Sequence, residues 1–308
     1  MYNLECFLLN FTTMLFKNAF VYRLVKDFTL SIEQLLPKIQ DQKFVPTSGI
    51  RGSSFGWRPL KGNEGPLVLE VDGRYLMNGK REEKVIPLSA INDLVLEKIE
   101  HRKSLERGTL SNSEKQRIKE EATIDLLPRA LPKSKEIIGY ISPVDSFLII
   151  NTPHSSDAEL FINCLRDSLG SLLVVPPQLK ENPSKYFTQW LLTRNLPENI
   201  VLGDQCDLKD IENGATVTCR HQDLSATEIR NHIESGKICT KIGLIWHGQL
   251  QATVDTNLVL RQLRMGNREN REEDPESQFD MALAETALTL SGFIPELIRA
   301  LGGETLKN

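Results

Sequence analysis

His221, His232 and His247 lie close in the chain to Asp223 and Glu234. Imidazoles near a carboxylate can hold a metal or pass a proton. These spacings fit neither H-E-x-x-H nor any other ligand-spaced motif, so the three read as surface or satisfied histidines. Cys6, Cys164, Cys206, Cys219 and Cys239 are widely scattered, with no C-x-x-C pair, which suits buried thiols in a reducing cytoplasm rather than zinc. The carboxylate pairs Glu82/Glu83, Glu120/Glu121 and Glu272/Glu273 are adjacent, so their side chains diverge and read as solvated charge. There is no phosphate loop, dinucleotide glycine motif or nucleophile elbow. No enzyme constellation has support in these residues, and neither a metal nor a cofactor is expected.

The basic residues are more informative. Lys80, Arg81 and Lys84 follow a predicted hairpin, Arg117 and Lys119 begin a predicted helix, Arg129 sits in an apolar turn, and Lys237 and Lys241 follow another helix. Converging on one face, such groups would neutralise phosphates without reading bases. The net charge of −4 argues against nucleic acid, but it is an average. Residues 80–135 carry 13 Lys/Arg against 10 Asp/Glu, whereas 264–308 carry 5 against 9. No run of exposed aromatics suits a base-stacking platform.

The elements that must position these groups follow from pattern. Arg220–Lys241 reads as a strand end, a helix capped by Ser225 with Glu228 and stopped by Gly236, then a second strand. Strands are predicted over 18–25, 66–71, 74–77, 84–87, 136–141, 146–151, 172–175 and 215–221. Asp72-Gly73 supplies a type I′ turn. Residues 46–59 read as a loop anchored by Phe55 and Trp57. Helices are predicted at 31–40, from Ser89, from Ser113 with Gln116 as its box partner, from Ser156 to Gly170, and over 183–193. One helical turn is expected at 208–213. A meander covers 238–263, a polar linker 266–277, and a last helix 277–301 kinked at Gly292 and Pro295. The apolar run 1–16 lacks a basic start and is too short to span a bilayer, and no other segment approaches that length.

Long ordered blocks resemble the RdgC family: MLFKNAFVYRL (14–24), REEKVIP (81–87), LLPRA (126–130), SLGSLLVVP (168–176), QDLSATEIRNHIESGKICTK (222–241) and LIRALGGE (297–304). The resemblance implies an α+β fold. Its subunit would be a horseshoe with a central α/β core and two projecting parts, one a helical hairpin. Two subunits would close as a ring-shaped homodimer with a basic hole. It implies binding of double-stranded and single-stranded DNA without sequence preference, association with the nucleoid in the cytoplasm, no membrane, and restraint of RecA-dependent recombination. A direct protein-interaction module binding RecA is the alternative.

The domain plan that follows is an extension (1–13), a first core half (14–87), a hairpin tip (88–134), a second core half (135–177), a base (178–264), and a linker with C-terminal helix (265–308). Lys80, Arg81, Lys84, Arg117, Lys119, Arg129, Lys237 and Lys241 are the expected DNA contacts. Leu131, His221 and Gln222 are the expected dimer contacts. Leu131 stands at a family position often aromatic. His221 stands where lysine is frequent, and a neutral histidine there weakens an anionic contact near pH 7.

Overall fold

A computed structural model describes residues 11–60, 62, 64–105, 110–266 and 275–305. The strands are β1 (Phe11–Thr13), β2 (Asn18–Leu24), β3 (Ser53–Arg58), β4 (Val68–Val71), β5 (Arg74–Val85), β6 (Leu131–Ser142), β7 (Phe147–Ile150), β8 (Val174–Val175), β9 (Ile200–Asp210), β10 (Thr216–Cys219), β11 (Lys237–Trp246), β12 (Leu250–Asp255) and β13 (Leu260–Gly266). The helices are α1 (Ile32–Gln40), α2 (Leu88–Leu105), α3 (Asn112–Leu126), α4 (Ser155–Leu169), α5 (Pro183–Thr193), α6 (Thr227–Glu234) and α7 (Pro275–Ala300). The fold is mixed α+β, built on one large sheet.

The strand order is β10-β9-β11-β12-β13-β2-β7-β6-β5-β3, with β1 on β13, β4 on β5 and β8 on β2. Neighbouring strands run antiparallel. The seam lies at β13–β2, where only Leu260↔Ala19 and Arg261↔Asn18 pair. Two apolar clusters pack on the sheet, the first of them crossing the seam. One runs from Met14 to Leu301 and takes the buried side of α7: Leu283, Ala287, Leu290, Phe293 and Leu297. The other, from Leu24 to Leu172, centres on Trp57, which packs edge-on against Phe161 and donates from Nε1 to Ser168 Oγ at 2.8 Å.

Several local expectations follow the backbone. Asp72 and Gly73 take φ of 50° and 70° at the β4–β5 turn, α5 spans 183–193, and Gly170 ends α4 with φ of 80°. Others are corrected. Residues 53–58 form β3 rather than loop, because Phe55 and Trp57 pair with Arg81 and Gly79 of β5. The pieces 74–77 and 84–87 join into one twelve-residue β5, and 136–141 extends back to Leu131, since the two long strands pair along their whole length. The helical turn at 208–213 is instead the end of β9.

Three predicted caps move. Ser111 and Glu114, not Ser113 and Gln116, form the α3 box: Glu114 N–H donates to Ser111 Oγ at 3.3 Å, and Ser111 N–H to Glu114 Oε2 at 2.7 Å. His154, not Ser156, precedes α4. Ser225 does not cap α6; its N–H and hydroxyl both donate to Asp223 Oδ1, at 2.8 and 2.6 Å, so an Asx turn replaces the box. The stretch Met281–Ala300 is long and apolar enough, by length and composition, to cross a membrane, contrary to expectation, but α7 buries its apolar side in the first cluster. One helix continues through Gly292 and Pro295. Most of the expected linker, 267–274, and Gly108 between α2 and α3 lie outside the described residues.

Candidate nucleic-acid interface

Helices α2 and α3 carry the first basic set. No described side chain of α2 is fully buried, although its half-buried apolar residues Ile91, Leu94, Val95 and Ile99 recur at helical spacing. Across α3, Ile118 and Ala122 are buried. Lys98 Nζ meets Asp125 Oδ2 at 2.7 Å and Arg102 Nη2 meets Glu121 Oε2 at 3.4 Å, lacing the two helices together. On α3, Glu114 is taken by the Ser111 cap, whose bonds hold its carboxyl below the usual range, and Glu120 accepts from Gln116. The acids of α3 are thus used internally. Lys103, Lys115, Arg117 and Lys119 remain exposed, with no ion pair among the described residues.

The β5 basic residues are placed differently. Lys80 Nζ lies 4.6 Å from the Phe44 ring centroid and 3.8 Å from Glu82 Oε2. Arg81 reaches Glu83 at 2.6 Å and Asp157 at 2.8 Å. Lys84 Nζ donates to the carbonyls of Gly49 and Leu127 at 2.6 and 2.8 Å. Lys80 and Arg81 are thus engaged near the middle of the β5–β6 ladder and Lys84 near its Leu131 end. Arg129, in the 3-10 turn Leu127–Arg129, is exposed.

That strand end also exposes apolar surface. Leu131 is 81% exposed, its register partner Val85 52%, and nearby Leu88 62%. Large apolar groups so exposed side by side mark a surface with something to gain from being covered.

The opposite part of the sheet positions the rest. Five strands separate β11 from β5. Lys241 Nζ lies 3.1 Å from Asp207 Oδ2, and half-buried Lys237 pairs in register with Asp210. After β10 the chain turns through His221, whose φ of 52° is uncommon for a residue with a Cβ. Asp204 stabilises this turn twice: its Oδ2 lies 3.0 Å from His221 Nδ1, and its carbonyl accepts from Gln222 N–H at 3.0 Å.

Two buried carboxylates depart from the sequence reading: Glu82, read there as solvated charge, and Asp157, which was not singled out. Glu82 accepts from Thr47 N–H and Oγ1, both at 2.7 Å, and from Ser134 Oγ at 3.2 Å; the Thr47 bonds hold its pKa below normal. Asp157 accepts from Lys135 at 2.5 Å, Arg81 at 2.8 Å and Thr152 at 3.2 Å. Burial alone would raise the Asp157 pKa, but these bonds outweigh it and the net shift is downward. The mixed charge of 80–84 was a sequence signal for Glu82 alone; Asp157 lies far outside that stretch. Among the described residues, no group of three His, Cys, Asp or Glu is placed to hold a metal ion.

Comparison with known proteins sharpens this picture. The family model described as "Putative exonuclease, RdgC" matches residues 14–304. The chain belongs to the RdgC family. The recombination-associated protein RdgC of Aeromonas hydrophila is 33% identical over 299 residues, covering 94% of this chain and 99% of the relative. That of Tolumonas auensis is 34% identical over the same shares, and that of Pseudomonas aeruginosa 30% identical over 95% and 99%. The RdgC match begins at Met14, so residues 11–13, which form β1 on β13, lie ahead of the family's common region. Membership fits a role in recombination.

Proposed function

We propose that this protein binds duplex and single-stranded DNA without sequence preference, closes around it as a ring-shaped homodimer, and limits RecA-dependent recombination at the nucleoid. The observation that carries the reading is the set Lys103, Lys115, Arg117 and Lys119, exposed without an ion pair among the described residues on a helix pair in which the four acids of α3 are engaged internally, although Asp93, Glu97 and Glu100 of α2 are exposed. Unpaired cations on a weakly buried element suit phosphate contact, which needs charge and reach rather than base-specific shape.

In this reading α2 and α3 form the projecting tip of a horseshoe, 178–264 its base, and 14–87 with 135–177 its core. The apolar Leu131 surface makes one closing contact and His221–Gln222 the other. Arg129 adds a phosphate contact beside the first; Lys237 and Lys241 flank the second, where Lys241 is held by Asp207. The protein acts by occupying DNA, not by cutting it.

The test is DNA affinity against salt for several unrelated sequences. A steep salt dependence common to all of them is expected. A shallow slope, or strong preference for one sequence, contradicts the proposal. The rival reading, direct binding of RecA, is favoured if charge reversal of Arg117 and Lys119 abolishes DNA binding yet leaves strand-exchange inhibition intact.

A further inference from the structure

A groove of about 1010 Å³ opens at the seam of the sheet beside β2. Its floor is an interrupted sheet edge. Leu24 N–H donates to Ser146 O toward β7, whereas Val25 N–H donates to Leu173 O on the other side. Backbone groups alternate in direction along a strand, so the odd-numbered residues of β2 face away from β7. Ala19 there finds Leu260 of β13, and Arg23 finds Val175 of β8. Val21 lies between them, and among the described residues no strand stands opposite it. Its N–H and C=O therefore point into the groove as an adjacent donor and acceptor, which a buried position would oblige to be paired.

The walls supply complementary chemistry. Phe20 and Tyr22 present half-buried ring surface. Lys180 is exposed at the rim without an ion pair among the described residues, and His154 also lines the groove. Arg261 spends Nη1 on the Pro153 carbonyl at 2.8 Å, and its Nε lies 3.8 Å from Asp255. The other acid in the wall, Glu181, pairs with Lys185 at 2.5 Å. The rim charge left over is positive.

We propose that this groove binds a nucleotide, its base donating to and accepting from the Val21 backbone and its phosphate lying near Lys180. A planar base edge with neighbouring donor and acceptor matches one residue's N–H and C=O, and an unpaired base leaves its Watson–Crick edge free for that contact. The occupant is either an unpaired position of a single strand or a free mononucleotide. The first source rests on the DNA-binding reading above; the second does not.

Hydrogen exchange at the Val21 amide tests this on the full-length wild-type protein, with a 20-nucleotide single strand, a blunt duplex of matched length, and 5′-mononucleotides as probes. Protection by the single strand but not the duplex is expected. Lys180→Glu should weaken single-strand binding roughly five- to tenfold and leave duplex affinity unchanged. Protection by mononucleotides alone assigns the free ligand and still supports the groove. Single-strand binding without protection at Val21 overturns the groove and leaves the DNA-binding reading standing. Absence of any DNA binding sinks that reading, and absence of protection by every probe sinks this one.

Discussion

Arg81 of β5 and Asp157 of α4 form a 2.8 Å ion pair in which the carboxylate is almost wholly buried. With Lys135 on the same carboxylate at 2.5 Å, the pair fastens α4 onto the centre of the β5–β6 ladder. Arg81 is therefore a structural cation first. Asp157→Asn would leave two cations facing a neutral amide; because Arg81 and Lys135 are partly exposed, the loss is about 1–3 kcal/mol. Chemical denaturation should show that loss. A change within about 0.5 kcal/mol, the range of an ordinary surface substitution, would contradict it.

The same groups set acid sensitivity. Asp157 and Glu82 both have folded pKa values below their ordinary 3.8 and 4.5. Each contributes stability that is fully present above its unfolded pKa and lost as pH falls through the folded one. Stability should thus be flat with respect to these two groups near neutrality and fall below about pH 4. In Glu82→Gln, the drop in melting temperature between pH 5 and pH 3 should shrink. An unchanged drop would remove Glu82 from the account.

Gly56 shows how tightly β3 is covered. A Cβ there would stand 2.5 Å from Phe44 Cα, a backbone atom that cannot swing aside. Gly56→Ala should cost about 1–3 kcal/mol by overpacking. Gly49, where a Cβ would meet nothing within 4 Å, has a φ of 56°, so its substitution tests backbone strain without crowding. Comparing the two by thermal melt separates the mechanisms, and a neutral Gly56→Ala would contradict the packing described.

Leu131 offers the cleanest probe of self-association. Its side chain is too exposed to support the fold, so Leu131→Asp should leave the melting temperature nearly unchanged while shifting mass in solution from dimer toward monomer. Sedimentation equilibrium reads this directly. A dimer as tight as wild type would remove Leu131 from the contact.

Much of this was legible from residue order, and the misses have a common cause. Turn chemistry with a single backbone solution, such as Asp72-Gly73 or Gly170, was read correctly because φ decides it locally. The box at Ser225 failed because Asp223, two residues earlier, offers a carboxylate that outcompetes the glutamate for the same donors. The length of β5 and β6 was missed because the second half of β5 and the first half of β6 are rich in charge, and only cross-strand pairing reveals that Arg81, Glu82 and Lys135 have partners. Basic residues could be counted in sequence, but whether they were free could not. Lys84 and Lys241 look like Arg117 on paper, yet the first two are spent on carbonyls and on Asp207.

Charge reversal of Lys115, Arg117 and Lys119 together should therefore lower duplex affinity far more than reversal at Lys84 or Lys241 that preserves the fold. Removing one phosphate interaction should reduce the salt slope by about 0.9. Equal effects from the two sets, measured by fluorescence anisotropy across salt, would show that engagement inside the fold does not matter.

The most direct measurement is a high-salt challenge of complexes on closed circular duplex and on the same DNA after linearisation. Encirclement predicts that the circular complexes survive salt that strips the linear ones, because a closed ring cannot slide off an end that is absent. Equal loss from both would contradict the ring.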